Sequence, residues 1–394
     1  MKICAVICEY NPFHNGHAYQ LSVIRKISGC DKILCIMSGN FTQRGEMAVF
    51  SKYARAKHAL LSGADIVIEL PAAFAVSPAE IFAEGAIHIL NTIPAVRTLA
   101  FGCESGDRNS FMHAAKALLS EDKEYRTALK ENMKGGISYK VAQVKTVLAL
   151  HNDVDETLLT HPNNLLGTQY CRAILAKDST ISVLPIPRIG GGYADSVPQK
   201  NFSSATALRA CLYDGSRKNR RILKRNLPES VFSEQIHARK EVFESTLMSA
   251  LITTPAEEIA RVPDCSEGLE NRIRAMAKSN PRYGDALSKI VCKRYTLSRL
   301  RRILLQNALK INLKDVKNYL QSALYYRILA VKKESADELL AALGEGSFPI
   351  IARKSDVSAL KKDALPCFET DVRANDFYNI LTGEHTNEFA THFV

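Results

Sequence analysis

Three features that mark other classes of protein are missing from this chain of 394 residues. It contains no run of eighteen apolar residues, so we expect no membrane-spanning helix. Glu9 interrupts the first apolar run after six residues, and the N-terminal segment therefore lacks the pattern of a signal peptide. Its ten cysteines include no C-x-x-C pair, which argues against a disulfide scaffold or a zinc ribbon. We therefore expect reduced thiols and a cytoplasmic location.

The overall composition is that of an ordinary globular protein. Hydrophobic residues make up 46% of the chain and charged residues 24%, and the length allows two domains with separate cores. The formal net charge is +11, with a pI near 9.1. A basic balance of this size permits a polyanionic partner such as RNA but does not require one.

The chain opens with a strand–turn–helix pattern. Ile3–Cys8 are consecutive apolar residues, which is typical of a strand buried on both faces of a parallel sheet. Pro12 ends this strand because proline has no amide hydrogen to donate, and a helix is predicted from about His17. Such a junction directs backbone amides and the positive end of a helix dipole at one point. The sequence thus predicts an anion site here.

Two histidines lie at this junction, in the segment H-N-G-H. Gly16 allows close backbone approach to a ligand, and the imidazoles of His14 and His17 flank that approach. Nucleotidyl transfer needs hydrogen-bond donors around an α-phosphate whose charge grows in the transition state. The histidines could also be ordinary polar residues at a helix start or half of a zinc site, although zinc would need further ligands. We favour a nucleotide site.

Further apolar runs at residues 32–37, 65–70, 96–101 and 181–186 alternate with helical stretches. This alternation predicts an α/β fold with a Rossmann-like parallel sheet. Ligands of such sheets bind beyond the carboxyl ends of the strands. Polar, glycine-bearing segments follow several strands there.

Three of these segments are candidates for the site. Residues 38–46 are polar and bracketed by glycines, consistent with either a substrate loop or a plain surface loop. Arg188 precedes a glycine triplet, a weak phosphate signal. Serines at residues 203–204 predict a capped helix start, with Arg209 one to two turns in and able to reach a phosphate; simple capping is the alternative.

Beyond about residue 211 the strand pattern disappears, and we predict a mainly helical second domain. Two clusters of basic residues without an acid lie in it, at residues 217–225 and 293–302. Runs of charge are usually solvated faces, but two such clusters beside a nucleotide site favour RNA contact. The predicted domains are 1–210, catalytic and nucleotide-binding, and 211–394, mainly helical, basic and RNA-binding.

Taken together, these motifs resemble the bacterial tRNA(Met) cytidine acetate ligase family of the HIGH-motif nucleotidyltransferase superfamily. The resemblance is carried by residues 9–17, 37–46 and 63–71. It continues, in order, at residues 101–102, 162–167, 188–190, 204–209 and 294–296.

The resemblance implies an ATP-dependent acetate ligase. Such enzymes form acetyl-adenylate and acetylate the exocyclic amine of the wobble cytidine in elongator tRNA(Met). In the mechanism we expect, His14 and His17 stabilise charge at the α-phosphate and Arg209 holds pyrophosphate. Mg²⁺ is expected with ATP, although no carboxylate cluster in the sequence predicts a dedicated metal site.

The resemblance also implies which residues contact the ligands. The residues expected to bind ATP are Ile7, Cys8, Glu9, Tyr10, Asn11, Pro12, Phe13, His14, Asn15, Gly16, His17, Ala18, Tyr19, Gln20, Gly102, Asn163 and Arg188. From the loop and the basic clusters, the residues expected to contact substrate or RNA are Ser38, Asn40, Gln43, Arg44, Lys218, Arg221, Lys293 and Arg294.

Two other functions compete with this interpretation. Small-molecule adenylyltransferases of cofactor synthesis share the H-x-G-H junction, but they are usually much shorter and leave the basic helical half unexplained. A non-catalytic RNA-binding protein with a degenerate nucleotide fold is the second, and His14, Gly16, His17 and Arg209 argue against it. The sequence does not determine the oligomeric state.

Overall fold

The structure is a computed structural model that describes residues 1–134, 137–188, 202–266, 268–292 and 294–394. Within these residues the strands are β1 Ile3–Cys8, β2 Lys32–Ser38, β3 Ile66–Leu70, β4 Val96–Cys103, β5 Ser182–Pro187, β6 Tyr326–Val331, β7 Ile350–Ile351 and β8 His392–Phe393.

The α-helices alternate with the first strands and dominate the second half of the chain. They are α1 Asn15–Ile27, α2 Lys52–Leu61, α3 Ala72–Ala75, α4 Ala79–Leu90, α5 Arg108–Leu119, α6 Lys123–Met133, α7 Tyr139–Leu150, α8 Thr157–Thr160, α9 Pro162–Ala176, α10 Ala205–Asp214, α11 Arg217–Asn226, α12 Glu229–Phe232, α13 Lys240–Thr253, α14 Ala256–Ile259, α15 Leu269–Ser279, α16 Tyr283–Ser288, α17 Leu297–Ala308, α18 Leu313–Tyr319, α19 Ala336–Gly344 and α20 Leu365–Thr382. Two short 3-10 helices span Lys333–Ser335 and Lys354–Ala359.

The strands form one sheet in the order β5-β4-β1-β2-β3-β6-β7, with β8 beside β6. The five strands from β5 to β3 run parallel, and this confirms the predicted α/β fold. Strand order reverses at β1, which has β2 on one side and β4 on the other. In open parallel sheets, ligands bind beyond the carboxyl ends of the strands at such a reversal.

The central strands are apolar because helices cover both of their faces. All six residues of β1 and all five of β3 are buried. Alternate β1 residues enter two separate hydrophobic clusters: Ile3, Ala5 and Ile7 face one side of the sheet, and Cys4, Val6 and Cys8 face the other. This two-sided packing is the physical reason that a continuous apolar run, rather than an alternating one, predicted the strand.

The expectation that strands end near residue 211 is wrong. β6 pairs antiparallel with β3 and carries β7 and β8, all of which lie beyond residue 320. Every residue of β6 is buried, including Arg327. The second half of the chain is therefore mainly helical but also completes the sheet of the first half, and residue 210 does not separate strands from helices.

Two expectations from composition can be compared directly with the structure. Among the described residues, no helix combines the length and the apolar character that crossing a bilayer requires. All ten cysteines are free thiols, and eight of them are buried. They serve as small apolar residues of the core.

Candidate functional site

A cleft, called here the main cleft, opens beyond the carboxyl ends of β1 and β4, where the strand order reverses. Its volume is about 1120 Å³, open solvent at its mouth included. The walls come from the turn after β1, the loop after β2, the end of β4, the start of α9 and the start of α10. The first three of these are strand ends that the sequence marked, and the last is a capped helix start that it also predicted.

His14 and His17 begin α1 and line the main cleft. His14 is the N-cap: its Nδ1 accepts a hydrogen bond from the Gly16 amide at 3.1 Å. The Nδ1 of His17 accepts the backbone N–H of His14 at 3.3 Å, so the amides of His14 and Gly16 both have an imidazole partner. The rings stack with centroids 3.7 Å apart. Because both Nδ1 atoms act as acceptors, each neutral ring carries its proton on Nε2.

Both imidazoles are held in the neutral form. Burial lowers the pKa of His14 to about 3, with Arg188 and Arg209 adding to the effect. Burial also lowers the pKa of His17 well below its usual range, helped by His14 and Arg188. The pair therefore offers two fixed Nε2–H donors near neutral pH. They act as dipoles rather than cations, and the positive charge of the cleft comes from the arginines.

Arg209 lies on the opposite wall, one turn into α10. Its guanidinium donates to the Asn11 carbonyl oxygen at 2.8 Å and lies 3.3 Å from the Glu46 carboxylate. The predicted cap of this helix is confirmed: the Ser204 hydroxyl accepts the Ala207 amide at 3.1 Å. The N-terminus of α10 thus faces the same cleft as that of α1, and two helix dipoles favour an anion between them.

The loop at residues 39–47 forms a third wall and is fixed from two sides. The Gln43 amide donates to the Glu9 carboxylate at 2.6 Å, and the Arg302 guanidinium donates to the Gln43 carbonyl at 3.2 Å. Gly45 has a φ of +71° and lies against the backbone of α17. Burial raises the pKa of Glu9, although nearby arginines oppose that rise.

The fourth wall combines the end of β4 with the start of α9. Gly102 lies at the end of β4 beside Arg188, and a Cβ there would make an ordinary contact, 3.4 Å from Arg188 Cγ. The Arg188 guanidinium is 3.4 Å from the Asn163 side-chain oxygen, a long contact. Asn163 is in turn held by the Glu104 carboxylate, which accepts its side-chain amide at 2.5 Å.

Two positioning residues were missed from the sequence. Glu104 also accepts the Asn164 amide at 2.9 Å and so caps α9. Arg55 is fully buried in α2 and donates to the carbonyls of Glu9 at 2.5 Å and Ser38 at 3.1 Å, and also to that of Gly39. It joins the carboxyl ends of β1 and β2. The only sequence signal was a strand-end carboxylate for Glu104, and Arg55 had none.

Most residues expected to bind ATP lie on the cleft or its rim. Those lining the main cleft, or a smaller cavity beside it at the start of α1, are Ile7, Cys8, Glu9, Tyr10, Asn11, His14, Gly16, His17, Tyr19, Gln20, Gly102, Asn163 and Arg188. The others support it. Phe13 is fully buried beside Pro12, Ala18 packs against the core, and the Asn15 side chain donates to the Arg225 carbonyl at 2.9 Å.

The residues expected to contact substrate or RNA divide into groups. Gln43 and Arg44 line the main cleft. Ser38 and Asn40 are buried at the start of the loop, where the Asn40 side chain accepts a hydrogen bond from the Lys52 amide at 2.7 Å. Lys293 lies outside the described residues.

The first basic cluster is a solvent-facing surface. Its six basic residues lie on α11 and are all exposed, among them Lys218 and Arg221. The end of α11 touches the rim of the main cleft through Asn15, described above, and through Asn226, whose side chain accepts the Ser203 amide at 2.8 Å.

The second cluster has a different role. Arg302 is buried and pairs with Asp264 at 2.6 Å, and Arg301 pairs with Glu46. Arg294 and Arg299 lie 5.8 and 5.5 Å from the centre of the Tyr295 ring. Most of this cluster therefore stabilises helix packing and the cleft loop.

The described residues contain no group of three or more His, Cys, Asp or Glu side chains arranged to hold a metal ion. Two carboxylates do line the main cleft, those of Glu9 and Glu46. Each of them already accepts hydrogen bonds from the protein.

Comparison with known proteins gives consistent matches over the whole chain. The family model described as HIGH Nucleotidyl Transferase matches residues 1–392. A tRNA(Met) cytidine acetate ligase of Clostridium novyi (strain NT) is 39% identical over 314 residues, covering 78% of each chain. The ligase of Acetivibrio thermocellus is 35% identical over 392 residues, covering 96% of this chain and 94% of the relative.

Two solved structures share the fold over their full length. The crystal structure of Thermotoga maritima TmcAL in its apo form I has a TM-score of 0.93 at 29% identity. The same protein bound with alpha-thio ATP (Form II) has a TM-score of 0.90 at 30% identity. Both alignments cover 100% of each chain.

Proposed function

The chain belongs to the HIGH nucleotidyl transferase family and, within it, to the tRNA(Met) cytidine acetate ligases, and from that premise we propose how its main cleft performs the reaction. ATP and acetate react there to give acetyl-adenylate and pyrophosphate. The acetyl group is then transferred to the exocyclic amine of the wobble cytidine in elongator tRNA(Met). The enzyme works in the cytoplasm, where its tRNA is found.

The observation that carries this proposal is the pair of neutral, stacked histidines at the start of α1. Their Nε2–H groups are fixed by hydrogen bonds on the opposite ring nitrogens, so no reorganisation is needed when charge develops at the α-phosphate. An acetate oxygen attacks that phosphorus, and the bond to pyrophosphate breaks. Arg209, at the start of α10, holds the departing pyrophosphate.

The adenine and ribose are assigned to the side of the cleft formed by β4, Gly102 and α9. Gly102 leaves space at the strand end, and Arg188 and Asn163 supply polar groups beside it. This assignment agrees with the general position of nucleotides at the reversal of strand order. The ATP analogue in the structurally similar Thermotoga protein supports ATP as the substrate.

Mg²⁺ enters this scheme as the partner of the ATP phosphates. Magnesium keeps several of its waters and commonly binds through one or two carboxylates and substrate phosphates. Of the two carboxylates that line the cleft, Glu9 would contribute, because Glu46 is already held by Arg209 and Arg301. The ion would screen negative charge on the phosphates, while the histidines donate hydrogen bonds to the oxygens of the α-phosphate.

The exposed basic helix α11 is proposed to hold the tRNA backbone beside the cleft, as part of the tRNA-binding role assigned to residues 211–394. Its six basic residues face solvent, and its C-terminal end touches the rim. Phosphate contacts of this kind supply affinity and orientation without reading sequence. The anticodon loop is already single-stranded, so presenting its base costs little unstacking energy.

The test is to incubate the purified protein with ATP, radiolabelled acetate and total bacterial tRNA, with an RNA-free reaction alongside. We expect label in tRNA cytidine, and acetyl-adenylate in the RNA-free sample. Label that stops at adenylate would contradict the tRNA acceptor. Full turnover without RNA would favour a small-molecule adenylyltransferase, and no adenylate would favour a binding protein.

A further inference from the structure

A second cavity of about 780 Å³, open solvent at its mouth included, lies next to the main cleft, between the loop at residues 39–47 and helices α10, α13, α16 and α17. On the same measure the main cleft has about 1120 Å³, so the second cavity is the smaller of the two and is large enough for a single flat ring. Met47, Phe243 and Tyr283 form its apolar wall, and all three are buried.

The two cavities share a wall. Glu46, Thr206 and Arg209 line both of them. One Glu46 oxygen is 3.3 Å from Arg209, and the other accepts from Arg301, which also interacts with the Tyr283 hydroxyl. The side chain of Glu46 is 25% exposed. A carboxylate has about four lone-pair positions, so Glu46 can accept from a ligand while keeping both arginines.

We propose that the second cavity receives the cytosine base of the acceptor nucleotide, with its ring against Phe243 and Tyr283 and its exocyclic amine at Glu46. This inference rests on the proposed function, because it names where the second substrate binds. Single-stranded bases are commonly held by aromatic side chains and read on their Watson–Crick edge. Lys240 and Arg301, which also line the cavity, suit the phosphates that flank such a base.

The position of Glu46 fits the transfer step. The lone pair of the amine attacks the acetyl carbonyl carbon of the adenylate at the border of the two cavities, where Glu46, Thr206 and Arg209 line both. A nitrogen–carbon bond forms, the carbon–oxygen bond to AMP breaks, and AMP leaves with the bonding electrons. One proton of the amine passes to Glu46 and then to solvent. The products are N-acetylated cytidine, AMP and a proton.

The cavity can be filled at positions that the proposal does not assign to the base or to its flanking phosphates. Ala210 is exposed on α10 and lines the second cavity but not the main cleft, so Ala210→Trp would place an indole in the space for the base. Glu244→Trp fills it from α13. Glu241→Trp is the matched control, because this neighbouring residue is exposed and lines neither cavity.

Each protein is assayed twice: for acetate-dependent ATP–pyrophosphate exchange without RNA, and for acetyl transfer to tRNA(Met). We expect both filled variants to keep the exchange reaction and to lose transfer by roughly tenfold or more, while Glu241→Trp keeps both. Binding of tRNA measured by filter retention should change much less than transfer, since phosphate contacts dominate affinity.

Three outcomes would overturn the inference. Transfer at the wild-type rate in either filled variant would show that the base does not enter this cavity. Loss of exchange in both would assign the cavity to the nucleotide site instead. Wild-type protein that makes no adenylate would refute the proposed function itself, and the base site with it.

Discussion

At the scale of single residues, the histidines at the start of α1 combine two tasks that are usually separate. Each Nδ1 satisfies a backbone amide that a helix start leaves unpaired, which is ordinary capping. Because that hydrogen bond fixes the tautomer, each Nε2–H is left to face the cleft. In the proposed mechanism, the residues that cap the helix therefore also present its two donors to the α-phosphate.

Replacing His17 tests this arrangement. His17→Ala removes one fixed donor and should lower acetate-dependent ATP–pyrophosphate exchange by about 100- to 1000-fold. His113→Ala is the control, because His113 is an exposed histidine on α5 that pairs with Asp153. Circular dichroism should show that both variants are folded. Exchange at the wild-type rate in His17→Ala would contradict the assignment of His17 as a hydrogen-bond donor to the α-phosphate.

The neutral histidines also predict a pH dependence of stability. Their pKa values are depressed in the folded protein, to about 3 for His14, so below the unfolded value of 6.5 only the unfolded chain gains protons. Stability is therefore full above about pH 6.5 and falls as the pH drops toward 3. Each histidine contributes a slope of up to about 1.4 kcal/mol per pH unit.

The measurement is the free energy of unfolding in urea between pH 4 and 7.5, without nucleotide. A His14→Asn, His17→Asn double variant should show a shallower fall than the wild type over this range. Carboxylates titrate in the same range, so the difference between the two proteins is the relevant quantity. Equal slopes would mean that the histidines are not held neutral.

At the scale of elements, the loop at residues 39–47 takes its shape from a helix more than 250 positions away in the chain. At Gly45 a Cβ would lie 2.6 Å from the backbone of Arg301 and Arg302 in α17. The same helix holds Glu46 through Arg301 and Gln43 through Arg302. The helical second half of the chain thus sets the position of the loop that lines both cavities.

Gly45→Ala should therefore lower the free energy of unfolding more than the same change at a glycine with open space around it. Gly215 is the matched control: its φ is +63°, close to the +71° of Gly45, but its Cβ would meet no atom within 4 Å. We expect a loss of about 1 kcal/mol for Gly215→Ala from backbone strain alone. Gly45→Ala should cost about 3 kcal/mol and reduce acetyl transfer as well. Equal losses of unfolding free energy would contradict the close contact with α17.

A second prediction at this scale concerns helix α11. Reversing two charges in Lys218→Glu, Arg221→Glu should weaken tRNA binding by about tenfold or more and make it less dependent on salt. The control is Lys361→Glu, Lys362→Glu, which makes the same change of charge at exposed lysines before α20. ATP–pyrophosphate exchange should persist in both. An equal loss of affinity in the control would mean that net charge, and not α11, attracts the tRNA.

At the scale of the whole molecule, the C-terminal segment holds the sheet and the cleft loop together through a buried network of charges. Lys52 at the start of α2 lies 2.9 Å from Glu69 on β3 and 2.8 Å from Glu388. Arg327 on β6 is 3.6 Å from Glu388 and also donates to its carbonyl oxygen. A residue near the C-terminus thus completes a charge network whose other members lie on α2, β3 and β6.

Glu388→Gln should therefore destabilise the whole protein. The change removes the one carboxylate that pairs with both Lys52 and Arg327 among the described residues, and breaking such a buried pair costs about 3–5 kcal/mol. Glu384→Gln is the control, since Glu384 is 54% exposed and pairs with His237 at the surface. The loss of unfolding free energy in Glu384→Gln should stay below about 1 kcal/mol. Equal unfolding free energies for the two variants in urea would contradict the network.

Much of the site could be predicted from the sequence because its signals are local. An apolar run, Pro12 and a helical pattern predicted the strand–turn–helix junction, and the serines before α10 predicted its cap. These features depend on residues within a few positions of one another. For the same reason the strand-end segments, Gly102 and Arg188 included, could be placed around one cleft.

Other parts were decided only by the tertiary structure. Arg55, in a helix that looks ordinary, became the link between β1 and β2. Arg301 and Arg302, which looked like an RNA-binding cluster, turned inward to Glu46 and Asp264. β6 joined the sheet by pairing with β3 across some 260 intervening positions. Local periodicity and charge determine which elements form, whereas contacts between segments distant in sequence depend on how those elements pack.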